Sequence, residues 1–403
     1  MEAPETRAVA AALTADGAEV RFVGGCVRDA VAQRPVKDID LATPDPPETV
    51  IALLERAELR AVPTGLAHGT VTAIADGRPF EVTTLRVDVE TYGRHAKVAF
   101  TDDWEADAAR RDFTFNAMSC APDGRLYDPF DGQQDLQGGR VRFVGDARAR
   151  VREDYLRLLR FFRFHAHYGR GAPDPEALAV ARELAGNLAT LSGERLRTEL
   201  LRLLEAADPV PTCDIMLEQE ILTTVLPEAR DTAALAALIG VEPVDLPPDP
   251  LRRLAAFLDS DGGTAGRVAV RLRLSRSAGE RLMGLMQPAE QVRIDPDQAA
   301  LRHALYRLGR DRVHDLLLLS WARSKAAGAN PDSSAFNRAL GEIAAWDDKA
   351  FPLQGQDVRD LGVPEGPRVG RLLSEVESWW LAEDFQPDRE ACLERLRASA
   401  AAG

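Results

Sequence analysis

The stretch RFVGGCVRDAVAQRPVKDIDLAT (residues 21–43) decides the reading of this chain. It opens on an alternating run that ends in Gly24-Gly25, the pattern of a strand entering a tight turn. CVRDAVAQ then reads as a short helix, and KDIDLAT as a second strand. Two glycines at a strand-to-helix turn let backbone N–H groups approach a phosphate closely, and the helix N-terminus adds positive potential. Arg28, one turn into the helix, can reach the same phosphate. On the second strand Asp38 and Asp40 stand at alternate positions, so both carboxylates project from one face. Like charges held that close are unfavourable unless cations neutralise them. An oxygen-only set suits Mg²⁺, which favours carboxylates plus substrate phosphates. An isolated Asp-x-Asp also fits a solvated strand edge, but its position just behind a Gly-Gly turn weighs against that.

Working outward, PPETVIALLERAE reads as an amphipathic helix, and HGTVTAIADGRPFEVTTLR (68–86) as a hairpin turning at Asp76-Gly77. The hairpin places Glu81 on a neighbouring strand. Three carboxylates on adjacent strands can hold two metal ions, one activating an attacking hydroxyl and one steadying a leaving phosphate. A plain surface glutamate is the alternative. VDVETYGRHAKVAF (87–100) is polar and contains glycine, so it reads as a mobile loop, and 102–121 reads as mostly helix. Within it Arg110 and Arg111 offer rigid donor forks for phosphate oxygens, or ordinary salt bridges on an exposed helix.

From about Gly145 onward apolar residues recur at three- and four-residue spacing, so the chain reads as an α/β head followed by helices. Breaks rich in Pro and Asp (VEPVDLPPDPLRR, MQPAEQVRIDPDQ) suggest further seams. In EDYLRLLRFFR (153–163), Asp154, Arg157, Arg160 and Arg163 recur every third residue, beside an apolar stripe of Leu156, Leu159 and Phe162. A carboxylate accepts from an exocyclic amine and a guanidinium donates to ring acceptors, so such a stripe can read a base edge. A solvated amphipathic helix has the same pattern.

Composition sets the frame. The chain has 403 residues, 45% hydrophobic and 28% charged, an ordinary globular balance that excludes disordered, collagen-like and coiled-coil classes. Two to four domains are expected for this length. No run of about 18 apolar residues exists, and the N-terminal residues show no secretory pattern. Cys26, Cys120, Cys213 and Cys392 lie far apart, without a CxxC pair, so neither a zinc site nor a disulfide scaffold is expected and a cytoplasmic location is. The net charge of −14 argues against a protein that coats nucleic acid over its whole surface. Yet residues 140–170 hold nine arginines against Asp146, Glu153 and Asp154, a surplus of six positive charges pointing to a polyanionic partner.

In this order GGCVRD (24–29), DID (38–40), RRDFTFNA (110–117), DPFDGQQDL (128–136), EDYLRLLR (153–160) and SGERLRTEL (192–200) resemble the class II tRNA nucleotidyltransferases. These are the CCA-adding enzymes together with the bacterial poly(A) polymerases, in the polymerase-β-like superfamily. PLQGQDVRDLGVPEGPRVGRLL (352–373) is similar to a tail segment of the family. Each motif alone is modest; six in order are specific. Trp104 and Ala108 depart from leucines common in the family, which reads as packing variation.

The resemblance implies an α+β fold: a polymerase-β-like nucleotidyltransferase head with a mixed sheet (1–139), then an all-α neck (140–205), body (206–290) and tail (291–403). It implies that Asp38, Asp40 and Glu81 are catalytic and bind two Mg²⁺ ions, with Mn²⁺ as the alternative. Gly24, Gly25, Arg28 and Arg111 would contact the triphosphate, and Asp112 and Asn116 would shape the site. Asp154 and Arg157 would read the Watson–Crick edge of CTP or ATP, with Arg160 and Arg163 completing the pocket. The loop at 88–98 would assist the switch from C to A addition, and 192–200 would brace a helix turn. The implied activity is addition of C, C and A to the tRNA 3′ end, without a nucleic-acid template. The implied partner is the tRNA acceptor arm; no membrane and no protein partner are expected. Poly(A) polymerase, an A-adding or CC-adding enzyme, and a catalytically dead RNA-binding protein remain as alternatives. His314-Asp315 reads as structural rather than metal-binding, His165 and His167 as structural or RNA-adjacent rather than metal ligands, and Trp379-Trp380 as tail packing.

Overall fold

The computed structural model describes residues 2–402 except 93–94, 244–246, 259–261 and 288–291; for 88–92, 95–97, 262 and 402 it describes backbone alone. The chain divides into two compact units. One comprises Met1–Thr232, Pro247–Pro250 and Val268–Ser275, the other Ala233–Leu246, Leu251–Arg267 and Arg276–Gly403.

The first unit opens with α1 (Pro4–Leu13), β1 (Arg21–Val23), α2 (Gly25–Val31), β2 (Asp40–Thr43) and α3 (Pro47–Arg56). Strands β3 (Arg60–Gly65), β4 (Thr70–Ala75), β5 (Arg78–Thr84), β6 (Arg86–Tyr92) and β7 (His95–Phe100) follow, then α4 (Trp104–Ala109), β8 (Ser119–Cys120) and β9 (Leu126–Tyr127). Seven strands form one mixed sheet in the order β3-β4-β5-β2-β1-β8-β9. Among the described strands only β2 and β5 pair in parallel, joined by a long connection through α3, β3 and β4. Along β4 buried and half-buried residues alternate, so one face is the core face, covered by α1 and α3. The expected hairpin is present: Asp76 (φ 50°) and Gly77 (φ 74°) both adopt the left-handed conformation of a two-residue primed turn.

Two local expectations need correction. Residues 86–92 and 95–100 are strands rather than a loop. They form the antiparallel pair β6–β7, with Arg86 opposite Phe100 and Val87 opposite Ala99. Val87, Val89 and Thr91 alternate, a strand period that the polar content concealed; Arg94 lies outside the described residues. Helix α4 covers only 104–109 of the segment expected to be mostly helical. Asp112 accepts from the Phe113 N–H (2.9 Å), and a short 3₁₀ turn over Thr114–Asn116 replaces the helix; such local side-chain bonds compete with the α-helix ladder. Strand β3 carries Pro63 and sits at the sheet edge, where proline is tolerated.

Next come α5 (Gly132–Gly138), α6 (Ala147–Glu153), α7 (Leu156–Tyr168), α8 (Pro175–Leu184), α9 (Gly193–Leu204), α10 (Val210–Glu218) and α11 (Ile221–Val225). Buried phenylalanines link residues 113–115 to residue 143 and to α7. Phe113 lies 4.7 Å from Phe143 and 5.2 Å from Phe164, centroid to centroid, and Phe115 lies 5.4 Å from Phe164. All four are buried, each burial worth roughly 1.5–3 kcal/mol. The two phenylalanines of RRDFTFNA thus clamp the phosphate-binding candidates to α7.

The chain continues through α12 (Ala233–Ile239), α13 (Pro250–Phe257), α14 (Gly262–Arg271), α15 (Arg276–Met286), α16 (Gln298–Leu308), α17 (Arg310–Ala326), α18 (Ser333–Ala345), α19 (Gly355–Arg359), α20 (Pro367–Ala382) and α21 (Arg389–Ala402). Trp380 is buried with Val358, Val376, Cys392 and Leu396, and its ring N–H donates to the Pro387 carbonyl (3.0 Å). Asp315 is buried and accepts from Arg252 (2.8 Å) and Arg281 (2.6 Å), a structural use of the His314-Asp315 pair.

Candidate active site

Gly24 ends the first strand in the left-handed region (φ 70°) and caps α2. A Cβ there would meet Arg111 Nη1 at 3.2 Å, and one on Gly25 would meet Arg28 Nη2 at 3.5 Å. Two guanidinium groups therefore flank the turn. Arg28 is held by Asp29 through Nε and Nη2 (both 2.9 Å) and donates to Asn116 Oδ1 (2.9 Å); the Tyr168 hydroxyl donates to Asp29 (2.6 Å). Arg110 and Arg111 share Asp107, which is 4% exposed and accepts at 2.9 and 3.1 Å.

Asp40 opens β2 and faces Glu81 on β5 across the parallel register. Asp38 stands two residues ahead of the strand rather than on it. Asp40 is half-buried, Asp38 and Glu81 exposed. Burial and then the Glu81 charge push the Asp40 carboxyl up to about 6; Arg111 pulls it down, and Asp38 pushes it further up. Among the described residues no three His, Cys, Asp or Glu side chains already converge in a metal cluster. Carboxylates that repel one another converge only around a cation. The all-oxygen donor set and the raised Asp40 carboxyl fit Mg²⁺.

Behind this group runs a chain of ionic contacts. Asp112 is buried and accepts from Asn116 Nδ2 (2.9 Å) and Arg160 Nε (2.7 Å). Arg160 also faces Glu199 (3.8 Å), and Glu199, 4% exposed, accepts from Arg163 Nε (2.5 Å). Burial raises the Asp112 carboxyl, but Arg160 and Asn116 outweigh it and hold it below its ordinary value. Asp107 is likewise held down against its burial by Arg111 and Arg110. A carboxyl depressed in the fold adds stability that is present above its unfolded value and lost as pH falls through the folded one. Thermal stability should therefore drop below about pH 4, near the ordinary carboxylate value, and Asp112→Asn should flatten that acid limb in melts across pH.

Asp154 is not on the arginine helix. Its extended backbone (φ −154°, ψ 108°) breaks the chain between α6 and α7, and its side chain accepts from the Leu156 N–H (3.1 Å). Its other oxygen accepts from Arg195 (2.6 Å) on α9. Arg157 turns elsewhere, to Glu153 and to the carbonyl of Arg150 (2.9 Å). A cavity of about 420 Å³ is lined by Asp154 and Arg195 but not by Arg157. Asp154 thus pairs with Arg195, while Arg157 pairs with Glu153, which lines the same cavity. Arg163 is buried, paired with Glu199 and stacked on Phe164 (4.0 Å).

Five of the nine arginines of 140–170 pair with carboxylates of the fold, Arg160 and Arg163 in its interior and the others at the surface. Arg140 and Arg142 pair with Asp135, Arg148 with Glu183, Arg160 with Asp112 and Arg163 with Glu199, all carboxylates from outside the segment. His165 is buried against Phe161, and His167 hydrogen-bonds the Arg202 carbonyl (2.7 Å). Sequence reasoning missed Asp107, Glu153, Arg195 and Glu199 as partners. One signal existed: Glu199 falls on the apolar face of α9 with Leu196, Leu200 and Leu203, and a carboxylate in a buried stripe demands a buried cation. Glu199→Ala strands Arg163, so we expect a loss of roughly 3–5 kcal/mol in unfolding free energy, read by denaturant melts.

Residues 20–142 match the family described as the poly A polymerase head domain, and 172–232 match one described as a probable RNA- and SrmB-binding site of polymerase A. The mitochondrial CCA tRNA nucleotidyltransferase 1 of Danio rerio is 35% identical over 398 residues, covering 94% of this chain and 88% of that protein. The chain belongs to the CCA-adding enzyme family. A bacterial CCA-adding enzyme, from Lacticaseibacillus paracasei, is 30% identical over 91% of this chain and 88% of its own length. The fold agrees. The CCA-adding enzyme of Bacillus stearothermophilus in complex with CTP superposes with a TM-score of 0.74 at 24% identity, covering 100% of this chain and 99% of that one. The Thermotoga maritima CCA-adding enzyme complexed with tRNA gives 0.64 at 20% identity, covering 98% and 94%.

Proposed function

We infer that this CCA-adding family member is a tRNA nucleotidyltransferase that adds C, C and A to the tRNA 3′ end from CTP and ATP. Near full-length similarity to relatives carrying that name supports this, on a head where Asp40 faces Glu81 beside a Gly-Gly turn flanked by two arginines. The Gly24-Gly25 turn, Arg28 and Arg111 bind the triphosphate. Asp154 accepts from the exocyclic amine of the base, and Arg157 donates to its ring once released from Glu153. Asp112, Asn116, Arg160 and Arg163 keep the head registered against the neck. Asp38, Asp40 and Glu81 would hold two Mg²⁺ ions, which when bound supply acidification of the attacking hydroxyl and charge stabilisation of the leaving group. The 3′-hydroxyl oxygen bonds to the α-phosphorus as the bond to pyrophosphate breaks, and pyrophosphate leaves. Head (1–139), neck (140–205), body (206–290) and tail (291–403) serve as the working division, with the acceptor arm held by the helical segments. No described helix is long and apolar enough to cross a membrane, and the four cysteines are free thiols, which suits a reducing cytoplasm.

The test is nucleotide incorporation into tRNA lacking its CCA end, with Mg²⁺ and CTP alone, ATP alone, or both. Two additions with CTP and one terminal A with both support the reading. Long A tails with ATP alone assign poly(A) synthesis, and additions limited to C or to A assign a partial enzyme. No incorporation with tRNA still bound reduces the chain to an RNA-binding protein.

A further inference from the structure

A guanidinium grips a phosphate well when its donor fork is held in one plane before the phosphate arrives. Arg28 stands at the Gly24-Gly25 turn with three of its five N–H groups committed. Nε and Nη2 donate to the two oxygens of Asp29 and Nη1 to Asn116 Oδ1, each at 2.9 Å. Among the described residues, one N–H on each terminal nitrogen is left over. Asp29 is the next residue on the same short helix, and it turns about its own side-chain torsions unless something holds it. Tyr168, the last residue of α7, does so from 139 residues away. Its hydroxyl donates to Asp29 Oδ1 at 2.6 Å, and the Arg28 guanidinium lies over its ring, 4.8 Å from the centroid. Phe164, one helical turn earlier, offers Arg28 a second ring at 5.2 Å. The end of α7 is itself tied to the segment that follows α2. Arg34 lies over the Tyr168 ring at 4.2 Å and donates to the His167 carbonyl at 2.5 Å. Tyr168 is half-buried, and the side chains of Arg28 and Asp29 are 13% and 20% exposed, so water screens these bonds only in part. Tyr168 belongs to none of the six family motifs, which leave off at Arg160 and resume at Ser192.

We propose that Tyr168 is a positioning residue for the triphosphate: its hydroxyl fixes Asp29 and its ring supports the guanidinium, so that the two free N–H groups of Arg28 stay aimed at the phosphates. The proposal rests on the nucleotidyltransferase reading above and adds a residue that acts through Arg28. The two contacts are separable. Without the hydroxyl, Asp29 keeps its fork with Arg28 but turns, and carries the arginine with it. Without the ring, the guanidinium also loses a cation–π contact. An effect passed through Arg28 falls on the phosphates and is blind to the base. It therefore weakens CTP and ATP alike, and weakens a triphosphate more than a monophosphate.

The experiment is equilibrium dialysis of CTP, ATP and CMP, with Mg²⁺, against the full chain and its Tyr168→Phe and Tyr168→Ala variants. KM and kcat are read in parallel on tRNA lacking its CCA end. For Tyr168→Phe we expect CTP and ATP to bind about tenfold more weakly, the scale of one hydrogen bond to a charged group, and CMP to bind nearly as before. KM for both triphosphates should rise by a similar factor, with kcat changing less and KM for tRNA unmoved. Tyr168→Ala should fall further. A wild-type margin of CTP over CMP in Tyr168→Phe overturns the proposal. So does a loss confined to one of the two triphosphates, which would place Tyr168 in base choice. If a variant melts early, the margin still decides, because an unfolded fraction lowers both apparent affinities alike. Dialysis needs no turnover, so it separates the two readings. A wild-type chain that prefers CTP to CMP, incorporates nothing and loses the preference in Tyr168→Phe keeps this inference and ends the catalytic one. A wild-type chain that incorporates C and A, with the margin untouched in Tyr168→Phe, ends this inference alone. A wild-type chain with no preference for the triphosphate ends both.

Discussion

Asp40→Asn removes nucleotide incorporation and leaves the chain folded and bound to tRNA. We expect turnover to fall at least about a thousandfold, the scale of losing one group that stabilises developing charge. The argument starts from place. Asp40 is the first residue of β2 and the only one of the three carboxylates that is half-buried, and Glu81 faces it across the sheet. Its carboxyl sits at about 6, so between the ordinary carboxylate value and 6 the folded chain holds a proton the unfolded chain has released. Stability falls as pH rises through that window, because the fold binds more protons there. At neutral pH the ionised side chain therefore costs stability, and asparagine, of the same size and without charge, relieves that cost. Melts at pH 7.5 should show Asp40→Asn as stable as wild type or more so in the absence of Mg²⁺. Added Mg²⁺ should raise the wild-type melting temperature and leave the variant unmoved. Turnover within tenfold of wild type would remove Asp40 from the reaction. An inactive variant that melts early would assign it a structural duty instead.

Much of this site was legible because its signals are local. A Gly-Gly turn, an Asp-x-Asp and an Asp-Gly hairpin each span a few residues, and each fixes backbone geometry by sterics and period. The hairpin turn then sets the strand that puts Glu81 opposite Asp40. Partners escaped where they are set by packing between elements. Glu199 answers Arg163 and Arg195 answers Asp154, from 36 and 41 residues away. The even spacing of Asp154, Arg157, Arg160 and Arg163 suggested one continuous helical stripe. The chain breaks at Asp154 because its side chain binds the Leu156 N–H, and the four charges then face four different neighbours. The arginine surplus of residues 140–170 is likewise partly answered by carboxylates from elsewhere in the fold, which charge counted along a segment leaves out.

Asp154→Ala should cost catalysis and base choice without costing the fold. Its ion pair with Arg195 is half-buried and lines a cavity, with side chains 20% and 21% exposed, so water reaches the stranded arginine. The expected stability change is about 1 kcal/mol, well short of that for an enclosed pair. The alanine variant of Glu199, where the stranded cation is enclosed, should by contrast melt far earlier. Its effect on nucleotides is the reverse of its effect on stability. Loss of the carboxylate that pairs with Arg195 at the cavity removes the acceptor for the exocyclic amine. The kcat/KM for CTP and ATP should then fall about a hundredfold, the scale of a lost hydrogen bond to a charged group together with the misplacement it causes. UTP and GTP, no longer repelled, should fall less or rise. The measurement is single-nucleotide incorporation with each triphosphate, beside a denaturant melt of the same preparation. A variant that discriminates like wild type would transfer base selection to Arg157 and its neighbours. A variant that loses the fold would place Asp154 with Glu199 as a strut. The two carboxylates thus act on opposite sides of one division, because Glu199 neutralises a buried cation whereas Asp154 faces a cavity with two lone pairs to spare.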